Sequence, residues 1–302
     1  MDSRLKLLSH SSICSLHSCP RRLQLSRLWP EWVNEDTVDT VYGRMFGEGL
    51  QSILTGIPLD KAMTRAAMQW TLDLYEFKKE KSFWHCWAAI ERFAWMLPES
   101  PLADYEMVWY EGKPATELSF CITLPDGFYY RGFIDAVLKH KYSGEYLVMD
   151  AKTSGMNRSN PAKYQNSGQV LGYSVVMDKV APGCQSFNVM YYEYLTYLEK
   201  FVAHDFLMDY LDRAMWIRDL LLDIEVMKMY GNYAEWPKHG EHCVAYGRVC
   251  RFIDNCTMQT AHLLGEYEEK RDALELDLEK RKGIQYDINV TLEELIESQM
   301  AL

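Results

Sequence analysis

Gly132-Phe133-Ile134-Asp135-Ala136-Val137, a turn at Ser143-Gly144, and then Leu147-Val148-Met149-Asp150-Ala151-Lys152-Thr153-Ser154 is the stretch that decides how this chain folds. Both halves carry apolar and β-branched residues in strand-like alternation, and a short connection joins them. Asp135 and Asp150 therefore fall on neighbouring predicted strands. Asp150 and Lys152 are two residues apart, so on one strand they point to the same face. An acid preceded by Leu-Val-Met is unusual, because a buried strand rarely carries a carboxylate without a partner. Phosphodiester chemistry supplies a reason. Two carboxylates can hold divalent cations that polarise a phosphate and acidify a water, and a lysine can orient that water or neutralise developing charge. The plain alternative for a lone D-x-K is a solvated strand end with a surface ion pair.

Around this pair the pattern changes period more than once. Serines open an expected helix over residues 11–28, and residues 43–55 read as a helix entered through glycines. From 59 to about 96 the pattern is helical and aromatic-rich, and Pro98 and Pro101 stop it. The spacing suggests that 58–101 is an inserted helical cap or wall. Strands are predicted at 105–111, 117–124, 128–139 and 145–152, a helix at 161–178, a strand at 186–195, and helices at 205–229 and 257–282. The expected fold class is α/β, a central mixed sheet flanked by helices. The domain reading is one unit over 1–257 and a C-terminal helical extension over 258–302. On the helix after the D-x-K strand, Gln169 and Tyr173 are four residues apart and share a face.

Together, GFIDAV, VMDAKTS and QVLGY resemble the RecB-type branch of the PD-(D/E)XK superfamily, which includes CRISPR-associated and phage exonucleases. The resemblance implies a restriction-endonuclease-like core and a divalent metal, magnesium or manganese. It makes Asp135 and Asp150 metal ligands, Lys152 the catalytic lysine, and Gln169 and Tyr173 the helix motif. Upstream, Phe46-Gly47-Glu48-Gly49-Leu50-Gln51 is similar to a family pattern in which a metal-binding histidine follows the glycine. Gln51 stands at that histidine's place; its amide oxygen is a weaker ligand for a hard cation, and Glu48 and Glu117 are the alternatives.

Cys243, Cys250 and Cys256 form a triplet near the C-terminus, and Cys19 stands far upstream in Cys-Pro-Arg-Arg. Four thiolates suit a [4Fe-4S] cluster or a structural zinc ion, and buried unligated cysteines are the plain alternative. AddB-type and CRISPR nucleases join their ends with an iron–sulfur staple of this kind, so the resemblance implies the cluster. The first gap of the triplet is wider here than in those families. Cys14, Cys86, Cys121 and Cys184 lack companions at ligand spacing and read as core thiols. Arg21 and Arg22 are candidates for gripping a DNA phosphate.

The net charge of -11 is the wrong sign for a protein that coats nucleic acid, so any DNA contact must rest on a local basic path. Hydrophobic content of 48% argues for packed structure over disorder. No stretch suits a membrane span, and the N-terminus lacks the apolar centre of a signal peptide, so a cytoplasmic protein of a bacterium or phage-infected cell is expected. The function these readings support is a metal-dependent DNA exonuclease of recombination or repair, acting on single-stranded or duplex ends beside a helicase or recombination protein. The rivals are a structure-specific or CRISPR-adaptation endonuclease, and a non-catalytic DNA-binding or scaffold subunit.

Overall fold

The computed structural model describes residues 1–29, 36–74, 79–165, 167–184, 186–245, 248–257, 272–280 and 285–300. The chain opens with strand β1 (Leu7–Leu8) and helices α1 (His10–Ser18) and α2 (Pro20–Leu28). Helices α3 (Val38–Leu54), α4 (Leu59–Ala67) and α5 (Phe83–Met96) come next. They precede strands β2 (Tyr105–Met107), β3 (Trp109–Tyr110), β4 (Lys113–Pro114), β5 (Thr116–Thr123), β6 (Tyr129–His140) and β7 (Tyr146–Ser154). Then follow α6 (Ala162–Gln165), α7 (Gly168–Val180), β8 (Ser186–Leu195), β9 (Lys200–Asp209) and α8 (Tyr210–Tyr230). A small hairpin of β10 (Val244–Ala245) and β11 (Arg248–Val249), then α9 (Ala273–Lys280), β12 (Ile288–Thr291) and α10 (Leu292–Met300) complete it.

The main sheet has eight strands in the order β12-β5-β6-β7-β8-β9, with β1 and β2 also pairing to β6. Its pairings mix parallel (β7 with β8, β12 with β5) and antiparallel (β6 with β7, β8 with β9). This is the expected α/β class, a mixed central sheet flanked by helices. The chain divides into two compact units, one of Asp36–Leu118 and Phe133–Tyr210, the other of Met1–Glu35, Ser119–Gly132 and Leu211–Leu302. Strands β5 and β6 run from one unit into the other.

In the first unit, alternation decides everything. Ala136, Leu138, Leu147, Met149, Met190, Tyr192 and Tyr194 project from β6, β7 and β8 into one core with Phe46 and Leu50 of α3 and Ile90 and Phe93 of α5. The residues between them, Asp135, Asp150, Lys152, Tyr191 and Glu193, occupy the opposite face by the period of two. Helices α4 and α5 thus belong to the core behind the sheet, where the sequence suggested a cap or wall. Gly49 allows that packing, since a Cβ there would lie 2.7 Å from Cδ1 of the buried Ile90.

In the second unit, Cys19 leaves the helical region with φ -163° and Pro20 starts a new turn, so the single helix expected over 11–28 is two. Ser9 caps the first through a reciprocal bond pair with Ser12. Strand β9 was not anticipated, because its residues are largely half-exposed and the apolar pattern of α8 ran back over them. It pairs along its whole length with β8. The tail is not purely helical either: β12 adds a parallel strand beside β5, pinned by Asp287, which accepts from both the backbone and hydroxyl of Ser119 at 3.0 Å. Most of the expected helix over 257–282 lies outside the described residues. No described helix is long and apolar enough to cross a membrane.

Gly132, the glycine of the motif, is fixed by packing: a Cβ on it would sit 2.5 Å from the ring of the buried Phe120. Gly132→Ala is expected to cost about 1–3 kcal/mol of stability through overpacking, read as a lowered urea midpoint at unchanged slope.

Candidate active site

Strand β7 carries the centre of the site. Asp150 is 0% exposed and lies beside Tyr191 in the parallel register, and Lys152 lies beside Glu193. Asp135 arrives on β6, whose Ala136 pairs with Met149, and its Oδ2 accepts a hydrogen bond from the Ala151 backbone N–H at 2.8 Å. One carboxylate is thus tied to the backbone of the strand that carries the other. Helix α7 is capped by Ser167 and buries Val170 and Tyr173, which turns Gln169 and Tyr173 toward Asp150.

Both donors converge on one oxygen. The Tyr173 hydroxyl donates to Asp150 Oδ1 at 2.8 Å, and Gln169 Nε2 donates to the same atom at 3.1 Å. The phenol of Tyr173 is held far above its ordinary pKa by burial first and by Asp150 and Asp135 next, so it remains a donor. The other oxygen, Oδ2, is buried and receives no donor from Gln169 or Tyr173. Its close neighbour is the Lys152 ammonium, 2.5 Å away, which also donates to Gln169 Oε1 at 3.3 Å. Burial works against the lysine's charge, but Asp150 and Asp135 outweigh it and its pKa is raised. Lys152 is therefore a cation that can neutralise or orient, and is no base near neutral pH.

Gln51 and Glu117 flank this centre. Gln51 Nε2 donates to Glu117 Oε1 at 2.7 Å, so the amide nitrogen faces a carboxylate that can only accept. Glu117 holds a left-handed backbone, φ 49°, a conformation that costs a non-glycine residue of order 1–3 kcal/mol and that clusters at functional sites. Loss of water contact, then Glu48 and Asp150, raise its pKa against the pull of the Gln51 bond. Glu48 accepts from Ser52 at 3.1 Å. Asp135 is pushed well above the usual carboxylate range by desolvation first and Asp150 next, with Glu117 adding to them and Lys152 and the Ala151 amide opposing. The counter-charge is too small for the acids it faces.

That imbalance fits a divalent cation. Among the described residues no three His, Cys, Asp or Glu side chains stand together as a complete protein cage. A magnesium site needs none, since that ion is commonly held by one or two carboxylates with waters and substrate phosphate filling the rest. Asp135 and Asp150 are the residues suited to it.

The four cysteines singled out in the sequence all lie in the other unit, as free thiols. Cys19 is the residue before α2, and the Cys250 backbone N–H donates to the Cys243 carbonyl at 2.7 Å. Burial raises the Cys256 thiol, Lys238 and Arg21 lower it, and Cys19 and Cys243 act on it as like charges, which brings these three thiols into one neighbourhood. They do not meet at ligating distance among the described residues. Arg21 corrects an expectation: it is 0% exposed, donating to the Cys256 carbonyl at 3.2 Å and to Gln24 Oε1 at 2.6 Å, and cannot reach a phosphate. Arg22 is half-buried and donates to Ser18 Oγ at 2.7 Å.

Sequence reasoning missed a polar wall next to the lysine. Tyr191 stacks on Tyr164 with centroids 4.4 Å apart, and Tyr164 donates to Glu193 Oε1 at 2.9 Å. The one available signal was Glu193 itself, an acid inside the apolar run of β8.

Two carboxylates and a lysine share one face of a mixed sheet, an arrangement suited to phosphodiester chemistry, and the sequence profile names the family. The PD-(D/E)XK nuclease superfamily model matches residues 7–257, and the chain belongs to that superfamily. Among solved structures the chain is similar to a protein from Eubacterium rectale, provisionally named an exonuclease. The two share 9% identity with a TM-score of 0.49, over 82% of this chain and 92% of the other. No curated protein sequence matches the chain.

The raised Asp135 pKa has a stability consequence. The folded state holds a proton on Asp135 that the unfolded chain releases at ordinary carboxylate pH, so metal-free protein loses stability as pH rises through that window. Asp135→Asn removes the titration. In chelator-treated protein it should melt above wild type near pH 8, with the gap narrowing toward about pH 5. A constant gap across that range would show that the charge is not the cause.

Proposed function

We propose that this chain is a metal-dependent deoxyribonuclease that removes nucleotides from free DNA ends. The observation that carries this reading is the division of labour on Asp150, with one oxygen gripped by Gln169 and Tyr173 and the other paired with the Lys152 ammonium, beside the second carboxyl of Asp135. Asp135 and Asp150 would hold magnesium or manganese, which when bound polarises the scissile phosphate and acidifies a water. The chain's own residues supply the rest. Gln169 and Tyr173 lock the Asp150 carboxylate in one orientation. Lys152 offers a fixed positive charge to the phosphate as negative charge builds on it, or orients the attacking water. Gln51 holds Glu117 beside the pair. The end preference, and a place in recombination or repair with a helicase or recombination protein as partner, rest on the RecB-type resemblance.

Linear end-labelled DNA, with closed circles as control and magnesium or manganese present, tests the reading. Wild type should degrade linear DNA and spare circles. Lys152→Ala should lower the rate by about 100- to 1000-fold, the usual loss for one charge-stabilising group, and Asp150→Ala should abolish it. Circles cut at the same rate would make the enzyme an endonuclease. Protein that binds DNA but cuts nothing would make it a non-catalytic subunit, the reading that Gln51 at the histidine position favours.

The second part of the proposal is that Cys19, Cys243, Cys250 and Cys256 hold a [4Fe-4S] cluster as a structural staple. Their convergence on one unit, with Cys256 in electrostatic reach of Cys19 and Cys243, supports it. Anaerobically purified protein should be brown, with iron and acid-labile sulfide in equal amounts, and Cys256→Ser should lose colour and stability together. A colourless protein containing zinc would replace the cluster by a zinc site.

A further inference from the structure

Between the D-x-K strand and the Gln169–Tyr173 helix runs a crossover, residues 155–165, whose surface is polar and largely exposed. It carries two exposed cations, Arg158 and Lys163. Among the described residues Arg158 forms no ion pair, and Lys163 lies over the ring of Tyr164 at 5.0 Å. The anchors that tie it down are polar and alternate with those cations. Ser159 Oγ bonds to Glu193 Oε2 and to His204 Nε2. The Tyr164 hydroxyl donates to Glu193 Oε1 at 2.9 Å. His204 Nε2 lies 3.7 Å from Glu193 Oε2 and supports the carboxylate from the neighbouring strand.

Glu193 is 3% exposed and sits directly beside Lys152 in the sheet, yet the lysine's ion pair is with Asp150. Both of its oxygens are spent on the crossover. A buried carboxylate whose hydrogen bonds go to a surface loop ties that loop to the strand beside Lys152. Helix α7 does not need this clamp, because Val170, Tyr173, Val176 and Met177 already bury it.

We propose that Glu193 is a positioning residue that fixes the 155–165 crossover so that Arg158 and Lys163 grip the backbone phosphates of the DNA strand entering the site. The proposal rests on the nuclease reading above. In a chain of net charge -11, a pinned pair of cations beside the catalytic face provides the local positive path that an anionic substrate requires.

Steady-state cleavage kinetics of Glu193→Ala, Glu193→Gln and an Arg158→Ala/Lys163→Ala double variant test it, beside hydrogen exchange of 155–165. Glu193→Ala should raise KM about tenfold while kcat stays within about twofold, with faster exchange across the crossover, as expected for loss of contacts to charged groups. Glu193→Gln should recover most of the affinity, because its amide can accept from Tyr164 and donate to Ser159. The double variant should reproduce the KM effect with no change in exchange. A fall in kcat at unchanged KM in Glu193→Ala, or normal KM in the double variant, overturns the proposal. Should wild type fail to cleave, the nuclease reading fails by itself. DNA affinities of the same substitutions in an Asp150→Asn background then decide the clamp, since weakened binding upholds it and unchanged binding overturns it.

Discussion

Burying the Asp150 carboxylate in a central strand is the constraint on which the rest of the first unit depends. An ionised group removed from water is tolerated only with donors and opposite charge around it. Tyr173 and Gln169 satisfy one oxygen, which requires α7 to pack where it does. Lys152 approaches the other from the same strand face. Asp135, tied to the amide of Ala151, brings a second carboxyl to the same place, where burial and Asp150 resist its ionisation. The strain at Glu117 and its bond from Gln51 belong to the same crowding.

The second unit follows the same rule with different partners. Gln24 is fully buried, donates to the Ala234 carbonyl at 2.9 Å and accepts from the Trp236 backbone at 3.0 Å. Arg21 donates to the Cys256 carbonyl from the same helix. Protein–protein hydrogen bonds therefore already tie α2 to the segment bearing the cysteine triplet. A cluster held by the thiols would reinforce a joint that is satisfied in its polar groups.

Overall acidity and an anionic substrate are reconciled locally. The acids of the site lie on β6 and β7, and the cations that could meet phosphate, Lys152, Arg158 and Lys163, lie on β7 and on the crossover that leaves it. Net charge therefore reports solubility and repulsion at a distance, whereas binding depends on groups within a few bonds of the ligand.

Much of this was legible in the residues alone. Period-two alternation placed Asp150 and Lys152 on one face, the four-residue spacing put Gln169 with Tyr173, and β8 ran over the residues expected, because local periodicity is set by backbone geometry. The motifs pointed to the superfamily whose profile matches the chain. The tertiary structure alone decided the role of α4 and α5 as core, the strands β9 and β12, the burial of Arg21, and the meeting of Glu193, Ser159, His204 and Tyr164. Edge strands with half-exposed side chains carry no strong pattern. Whether an arginine faces solvent or a carbonyl, and which side chains from distant segments share a proton, depends on packing between elements, and periodicity within an element does not encode it.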